Sequence, residues 1–420
     1  MPALFVATAV GLNAGVRLGD DTYLNLGVDA NVIYSDNIYS SYSRTSDLYS
    51  SITPNVSLTH DSVNRFTANF WESFVNHLDH FELDSQYAAA SLNYTFEPKA
   101  LTGAAEGGEG QGSRLRMSID AGFRQIAQND NTYGGYDSLG NWVSEESLIR
   151  RDIYSIAANA RYMISSKLNG SIGLDWNYDH FASMKNRYND SQTFSVPLSL
   201  HYSLASYQLG LVGNYSHTDI EQNNIQKRTD SSPGNTTSYY AGLSFIGPVP
   251  FSTKLTLRTN IGYTLREFND RWFTSSDPND QDKKNGDYSY GTIGYNFALD
   301  WQVRQNLRLS LSSGRNFETG GRAQAITTTN VRLNIATVVK SIYYWSTYLE
   351  YRLQEFDYKG IADRRDNLYS MGTILSYSTY VPTLHSTVTT SIGYRFLADD
   401  SNRIRNFHSN IVSFTIGLRY

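Results

Sequence analysis

The strongest constraint on this chain is an alternation of apolar and polar residues at a period of two. It recurs along nearly the whole length and never merges into a continuous apolar run. In the last segment Val412, Phe414, Ile416, Leu418 and Tyr420 fall on one side, and Ser413, Thr415, Gly417 and Arg419 on the other. Ile293, Tyr295, Phe297, Leu299, Trp301 and Val303 alternate in the same way with Thr292, Gly294, Asn296, Ala298, Asp300 and Gln302. So do Leu115, Met117, Ile119, Ala121 and Phe123 with Arg116, Ser118, Asp120, Gly122 and Arg124. Period two is the spacing of strands, not of helices. The Thr, Tyr, Val and Ile that fill these segments favour a pleated sheet. No stretch reaches the roughly 18 apolar residues of a membrane helix, so a helical membrane protein is excluded.

About eighteen such segments are predicted, at 23–34, 47–60, 66–77, 83–97, 114–127, 148–162, 168–181, 191–204, 207–220, 237–246, 254–268, 288–303, 307–318, 325–339, 342–356, 367–379, 384–397 and 407–420. The linkers fall into two classes. Those at 165–167, 205–206, 304–306, 340–341 and 380–383 are short, and those at 128–147, 221–236 and 269–287 are long and polar. Tight turns at one end and long loops at the other describe a transmembrane antiparallel up-and-down β-barrel. An even strand count puts both termini at the short-turn end.

The physics of a bilayer explains the pattern. In hydrocarbon every backbone N–H and C=O needs an internal partner, so a sheet must close on itself. Outward side chains then meet lipid and inward ones meet water. The mean hydropathy of −0.43 follows from that division rather than contradicting a membrane location. The chain carries 32 Tyr and 6 Trp, and rings with a polar tip suit the membrane–water boundary. Tyr34, Tyr178, Tyr215, Trp301, Tyr343, Trp345 and Tyr420 stand near predicted strand ends. A soluble β-sandwich or propeller also alternates, but it requires neither two loop-length classes nor aromatic strand ends on its exposed face. The expected organisation is one barrel over 23–420 after a lead at 1–22. Within that lead, Met1 to Ala14 reads as a signal remnant or a disordered segment.

Some positions resist the pattern. Pro54 and Pro197 fall inside predicted strands, where each loses a ladder bond. Phe70 and Trp71 put aromatics on both faces of one strand, which leaves the side taken by Glu72 open. The linker at 98–113, with Gly107, Gly108, Gly110 and Gly112, is long for a short-turn connection.

Cysteine is absent, which removes disulfides, zinc ribbons and thiol catalysis. A net charge of −5 argues against a nucleic-acid partner. The eight His (His60, His77, His80, His180, His201, His217, His385 and His408) show no nucleophile–base arrangement. His77 and His80 are a weak metal pair. The acidic run Asp277, Asp280, Asp282 and Asp287 lacks calcium-loop spacing, and the glycine run at 107–112 opens no helix. No catalytic residue, metal or cofactor is expected.

The inward positions remain. By alternation they include Arg116, Asp120, Arg161, Asp175, Arg258, Asp300, Arg308, Arg332, Glu350 and Arg352. Facing arginines and carboxylates create a transverse field that sorts solutes by charge. The plainer reading is cross-strand pairing that stiffens the wall. Arg332 and Glu350 are expected near mid-height, where they would narrow a pore. Tyr344 and Tyr348 share the inward face of the same strand as Glu350, as a sugar-stacking track or as packing against an inward-folded loop.

The order Tyr34-Ser35-Asp36-Asn37-Ile38-Tyr39, then Ile52-Thr53-Pro54-Asn55-Val56-Ser57-Leu58, then Leu78-Asp79-His80, resembles the β-barrel porin type 2 family of Gram-negative outer membranes. In that family an aromatic–Asp–Asn–Ile/Val element follows the first strand and a Pro lies in the second. Ser35 stands where the family often has Asp. The resemblance is sharpest over the first hundred residues. It implies a passive channel in the bacterial outer membrane, with exopolysaccharide export as cargo. The implied partners are outer-membrane lipid and lipopolysaccharide, the barrel assembly machinery, periplasmic chaperones and polysaccharide export components. The ending Phe414, Ile416, Leu418 and Tyr420 looks like the assembly signal. Two other functions compete: a non-conducting adhesion or structural barrel acting through its outer loops, and an outer-membrane lipid hydrolase.

Overall fold

In the computed structural model of the chain, each alternating segment pairs antiparallel with its neighbour in sequence, and the last pairs with the first. The structure describes residues 15–97, 114–128, 135–136, 142–143, 149–181, 190–221, 235–249, 252–268, 288–319, 325–356, 364–402 and 406–420, apart from 41, 43 and 63. Eighteen strands close the ring. They are β1 Thr22–Ser35, β2 Asp47–His60, β3 Arg65–His77, β4 Ser85–Phe96, β5 Leu115–Gln128 and β6 Ile149–Met163. Next come β7 Leu168–Phe181, β8 Ser191–Leu204, β9 Tyr207–Ile220, β10 Thr236–Val249, β11 Ser252–Phe268 and β12 Tyr288–Arg304. The ring ends with β13 Leu307–Thr319, β14 Ala325–Val339, β15 Tyr343–Phe356, β16 Arg364–Val381, β17 Ser386–Ser401 and β18 Phe407–Arg419.

Following paired residues once around the ring returns to β1 displaced by about 20 positions, the stagger of strands tilted about 40°. At about 4.8 Å between strands, that tilt gives a backbone diameter of about 35 Å. The outer face carries exposed Leu26, Val32, Ile52, Phe70, Ile172, Leu243, Ile293, Leu349 and Ile392. Tyr34, Tyr154, Tyr215, Trp301, Trp345 and Tyr420 are exposed toward its edges. A closed ring with an apolar belt edged by such rings is an integral outer-membrane barrel.

The register settles the doubtful positions. Val56 lies opposite Phe70 and Ile52 opposite Phe74, so Phe70, Glu72 and Phe74 face outward and Trp71 faces the lumen. Pro54 pairs with Val28 on β1 but breaks the ladder to β3. Pro197 keeps its place opposite Asn214 and breaks the ladder to β7. Of the expected boundaries that move, two do so for a local reason. Phe81–Leu83 and Pro382–Leu384 form single 3₁₀ turns, so β4 and β17 start after them. In the expected N-terminal lead, Val16 and Arg17 fold back beside Leu24 and Tyr23 of β1. The linker 98–113, the acidic run at 277–287 and residues 1–14 lie outside the described residues. Within the loop 128–147 a two-residue ladder joins Gly135–Tyr136 and Trp142–Val143.

The element that follows β1 holds the ring shut. Ladder partners run from Gly27–Arg419 to Ser35–Ile411, and Leu26 and Tyr420 exchange backbone hydrogen bonds of 2.8 and 3.2 Å below them. Above them the Asn410 backbone N–H and side-chain amide donate to the Asp36 carboxylate at 2.6 and 2.7 Å. Asn37 Nδ2 donates to the His408 carbonyl at 2.9 Å, and Ser409 Oγ donates to the Asn37 carbonyl at 3.2 Å. Ser35, Asn37 and Ser409 are buried.

Burial pushes the Asp36 carboxyl up. The two Asn410 hydrogen bonds, with Arg44 and His408 nearby, outweigh it and hold the group below its ordinary range. A depressed carboxyl adds stability above its unfolded value and loses it as pH falls through the folded one. The temperature at which the folded gel band disappears is therefore expected to drop below about pH 4. Asp36→Asn should shrink that acid-induced drop, which a gel series across pH would measure.

Candidate functional site

The same alternation that builds the outer belt lines an interior. Toward the long-loop end lies a cavity of about 1010 Å³. Its wall is mostly hydroxyl and amide: Asn177, Thr193, Asn214, Ser216, Thr218 and Ser238, with Trp71 and Tyr240 between them. Neighbouring hydroxyls share hydrogen bonds, as in Thr193–Thr218 at 3.0 Å and Ser195–Ser216 at 3.4 Å. Two of the three arginines there are held by protein, and the third, Arg124, is exposed. Arg151 clasps Asp179, with Nε to Oδ1 at 3.0 Å, and buried Arg266 donates to the Glu318 carbonyl at 3.0 Å.

At mid-height three charges form one cluster. Arg332 reaches Glu350 at 3.3 Å and Arg352 reaches the other Glu350 oxygen at 2.9 Å. The Arg332 guanidinium lies 4.3 Å over the Tyr348 ring. That ring stands against Gly372, where a Cβ would overlap it. Tyr348 is 6 % exposed, so its faces are occupied by protein, while Tyr344 is half-buried toward the short-turn end.

In the short-turn half, Asp300 is shared by Arg258 and by Arg308, the latter at 2.8 Å. Arg116 approaches Glu97 at 3.7 Å and stands directly across from Arg161. Asp120 accepts a hydrogen bond from Asn93, and Asp175 faces inward between Ala157 and Ser195. All twelve of these expected inward side chains fall on the lumen face by register. The structure gathers six of them, with one shared carboxylate in each group: Arg258, Asp300 and Arg308, then Arg332 and Arg352 on Glu350. Sequence reasoning passed over Lys254, Arg419 and Asp29, which the same parity marks. Arg419 binds Asp29 at 2.6 Å across the seam.

Histidines turn to local partners. His77 pairs with Asp47 at 2.8 Å, whereas His80 pairs with Glu82 at 3.0 Å, so the two do not converge on a metal. Among the described residues no group of three His, Cys, Asp or Glu is placed to hold one. His201 meets Ser244 at 3.2 Å on the inner face, with Ser244 buried.

No protein-family model and no curated protein sequence matches this chain. Solved structures do. OccAB4 of Acinetobacter baumannii matches at 11% identity over 98% of this chain and 100% of that one, with a TM-score of 0.44. OccK2 (OpdF) of Pseudomonas aeruginosa matches at 10% identity over 95% and 97%, with a TM-score of 0.45. The FrpB iron transporter of Neisseria meningitidis matches at 8% identity over 94% and 82%, with a TM-score of 0.45.

Proposed function

We propose that the chain is a water-filled, porin-like channel of the outer membrane that passes hydrophilic solutes. One observation carries this reading. An eighteen-strand ring is wide enough for an aqueous passage, and charged, hydroxyl and amide side chains recur along its inner face from the Asp300 cluster through Glu350 to the upper chamber. Purified protein added to a planar bilayer is expected to give discrete conductance steps. Their absence would favour a non-conducting barrel that acts through its outer loops. In this reading Arg332 and Glu350 narrow the pore at mid-height. Arg332→Ala and Glu350→Ala are each expected to change unit conductance or ion selectivity. Unchanged values in both would refute that role.

Finer parts of the reading come from the resemblance. Membership of the porin type 2 family is supported by the Asp36-Asn37 element and Pro54. A polysaccharide is one hydrophilic cargo, and the hydroxyl- and amide-lined chamber suits a neutral polyol surface. Phe414, Ile416 and Leu418 point outward along the closing strand with Tyr420 at its end, as an assembly signal would require. A lipid hydrolase is disfavoured by position: the His201–Ser244 contact faces the lumen and not the outer leaflet.

A further inference from the structure

We infer that the short-turn mouth of the lumen is an electropositive vestibule that draws anionic solutes from that side, the periplasmic one in outer-membrane barrels. This rests on the channel reading and adds to it a substrate class and a side of entry. The chain as a whole is acidic, at −5. The lower inner wall is the reverse. Arg116, Arg161, Lys254, Arg258, Arg308 and Arg419 stand there, within a few residues of the short turns or just below mid-height. Against them the described wall of that half sets Glu97, Asp120 and Asp300, while Asp29 and Asp175 lie at mid-height.

Exposure sharpens the imbalance. The Asp300 side chain is 17 % exposed, whereas its partners Arg258 and Arg308 are 55 % and 59 % exposed. The carboxylate lies beneath and the two guanidiniums reach the water. The same order holds for Arg116 over Glu97 and for Arg419 over Asp29. A solute entering at this end therefore meets cations first. Arg116 and Arg161 are direct cross-strand partners of like charge. Such a pair is destabilising unless water or an anion lies between the heads. Neither Lys254 nor Arg161 has a hydrogen-bonded carboxylate among the described residues, so both add unbalanced charge. The long-loop chamber is different. Its Arg151 and Arg266 are buried and tied down, only Arg124 of its lining arginines is exposed, and hydroxyls and amides dominate its wall. Fixed charge gathered at one mouth concentrates counter-ions there first.

The test uses the full-length protein in planar bilayers. Ser206→Cys, in the exposed turn between β8 and β9, marks orientation in a chain with no other cysteine. In a dilute potassium chloride gradient the reversal potential should show a several-fold preference for chloride. The preference should fall toward unity at 1 M salt, where screening acts within about 3 Å. Arg161→Gln with Lys254→Gln should lower it without stranding a carboxylate. Arg258→Gln with Arg308→Gln should lower it further. Dextran sulfate added at the short-turn side should reduce the current, and at the loop side it should not. Neutral dextran should do neither. Preference for potassium at low salt, or equal block from both sides, overturns this inference and leaves the channel reading standing. Absence of conductance overturns both.

Discussion

Asn37→Ala is expected to lower the stability of the folded barrel by about 2–3 kcal/mol, the cost of leaving buried hydrogen-bonding groups without partners. Asn37 is 1 % exposed and its amide holds the His408 carbonyl on the far side of the ring closure. Truncation strands that carbonyl and loosens the turn that presents Asp36 to Asn410. Asp36→Ala should cost a similar amount, because it removes two hydrogen bonds to a charged acceptor. The double variant should lose less than the sum, since both residues grip the same segment of β18. Loss of the compact band on unheated gels at lower temperature would report the effect. Asn69→Ala, which removes an exposed hydrogen bond to Ser91 inside the lumen, should stay within about 0.5 kcal/mol. A cross-link at the closure supplies the decisive control. Asn31→Cys with Thr415→Cys joins register partners of β1 and β18, and oxidation should restore the band to Asn37→Ala. If it does not, the clasp is not what keeps the ring shut.

The ring itself was legible because lipid outside and water inside impose opposite demands on adjacent residues. That demand is local, so it shows in any ten-residue window. The Leu115–Gln128 strand and its alternating Arg116, Asp120 and Arg124 needed no partner to be recognised. The clasp was not legible in the same way. Asp36 and Asn410 are 374 positions apart, and only closure brings them together. The resemblance singled out the Asp-Asn element without a physical reason, which the buried bonds to β18 now supply. The charge clusters fall between these cases. Alternation placed Arg258, Asp300 and Arg308 on one face, but their shared contact depends on the registers of three strands. Two apolar starts misled the reading. Leu83 and Leu384 look like strand entries, yet each ends a 3₁₀ turn instead. Tyr348 shows the limit of parity. It faces inward as expected, but Arg332 and Gly372 cover its ring.

Gly262→Val is expected to abolish the folded band altogether, with a cost above about 3 kcal/mol, the upper range for overpacking. Gly242, Gly262 and Gly294 are register partners across β10, β11 and β12, so three glycines stand in one row of the wall. A Cβ at position 262 would overlap the Ala241 carbonyl oxygen and sit 2.6 Å from the Gly242 Cα. Both atoms belong to the neighbouring strand's backbone, which cannot retreat without breaking its own ladder. The close approach is what lets Tyr240 lie across the row: its ring stands 3.4 Å from where a Gly294 Cβ would be, and it lines the upper chamber. Glycine in a strand interior usually weakens the strand, so its use here marks a bend that the ring requires. Gly213→Ala gives the comparison. Its nearest neighbour, the Tyr240 carbonyl oxygen, would lie 3.5 Å from the new methyl, an ordinary contact. That variant should fold and conduct like the parent. If Gly262→Val also folds and conducts unchanged, the row is not a close-packed bend, and the placement of Tyr240 in the chamber must have another cause.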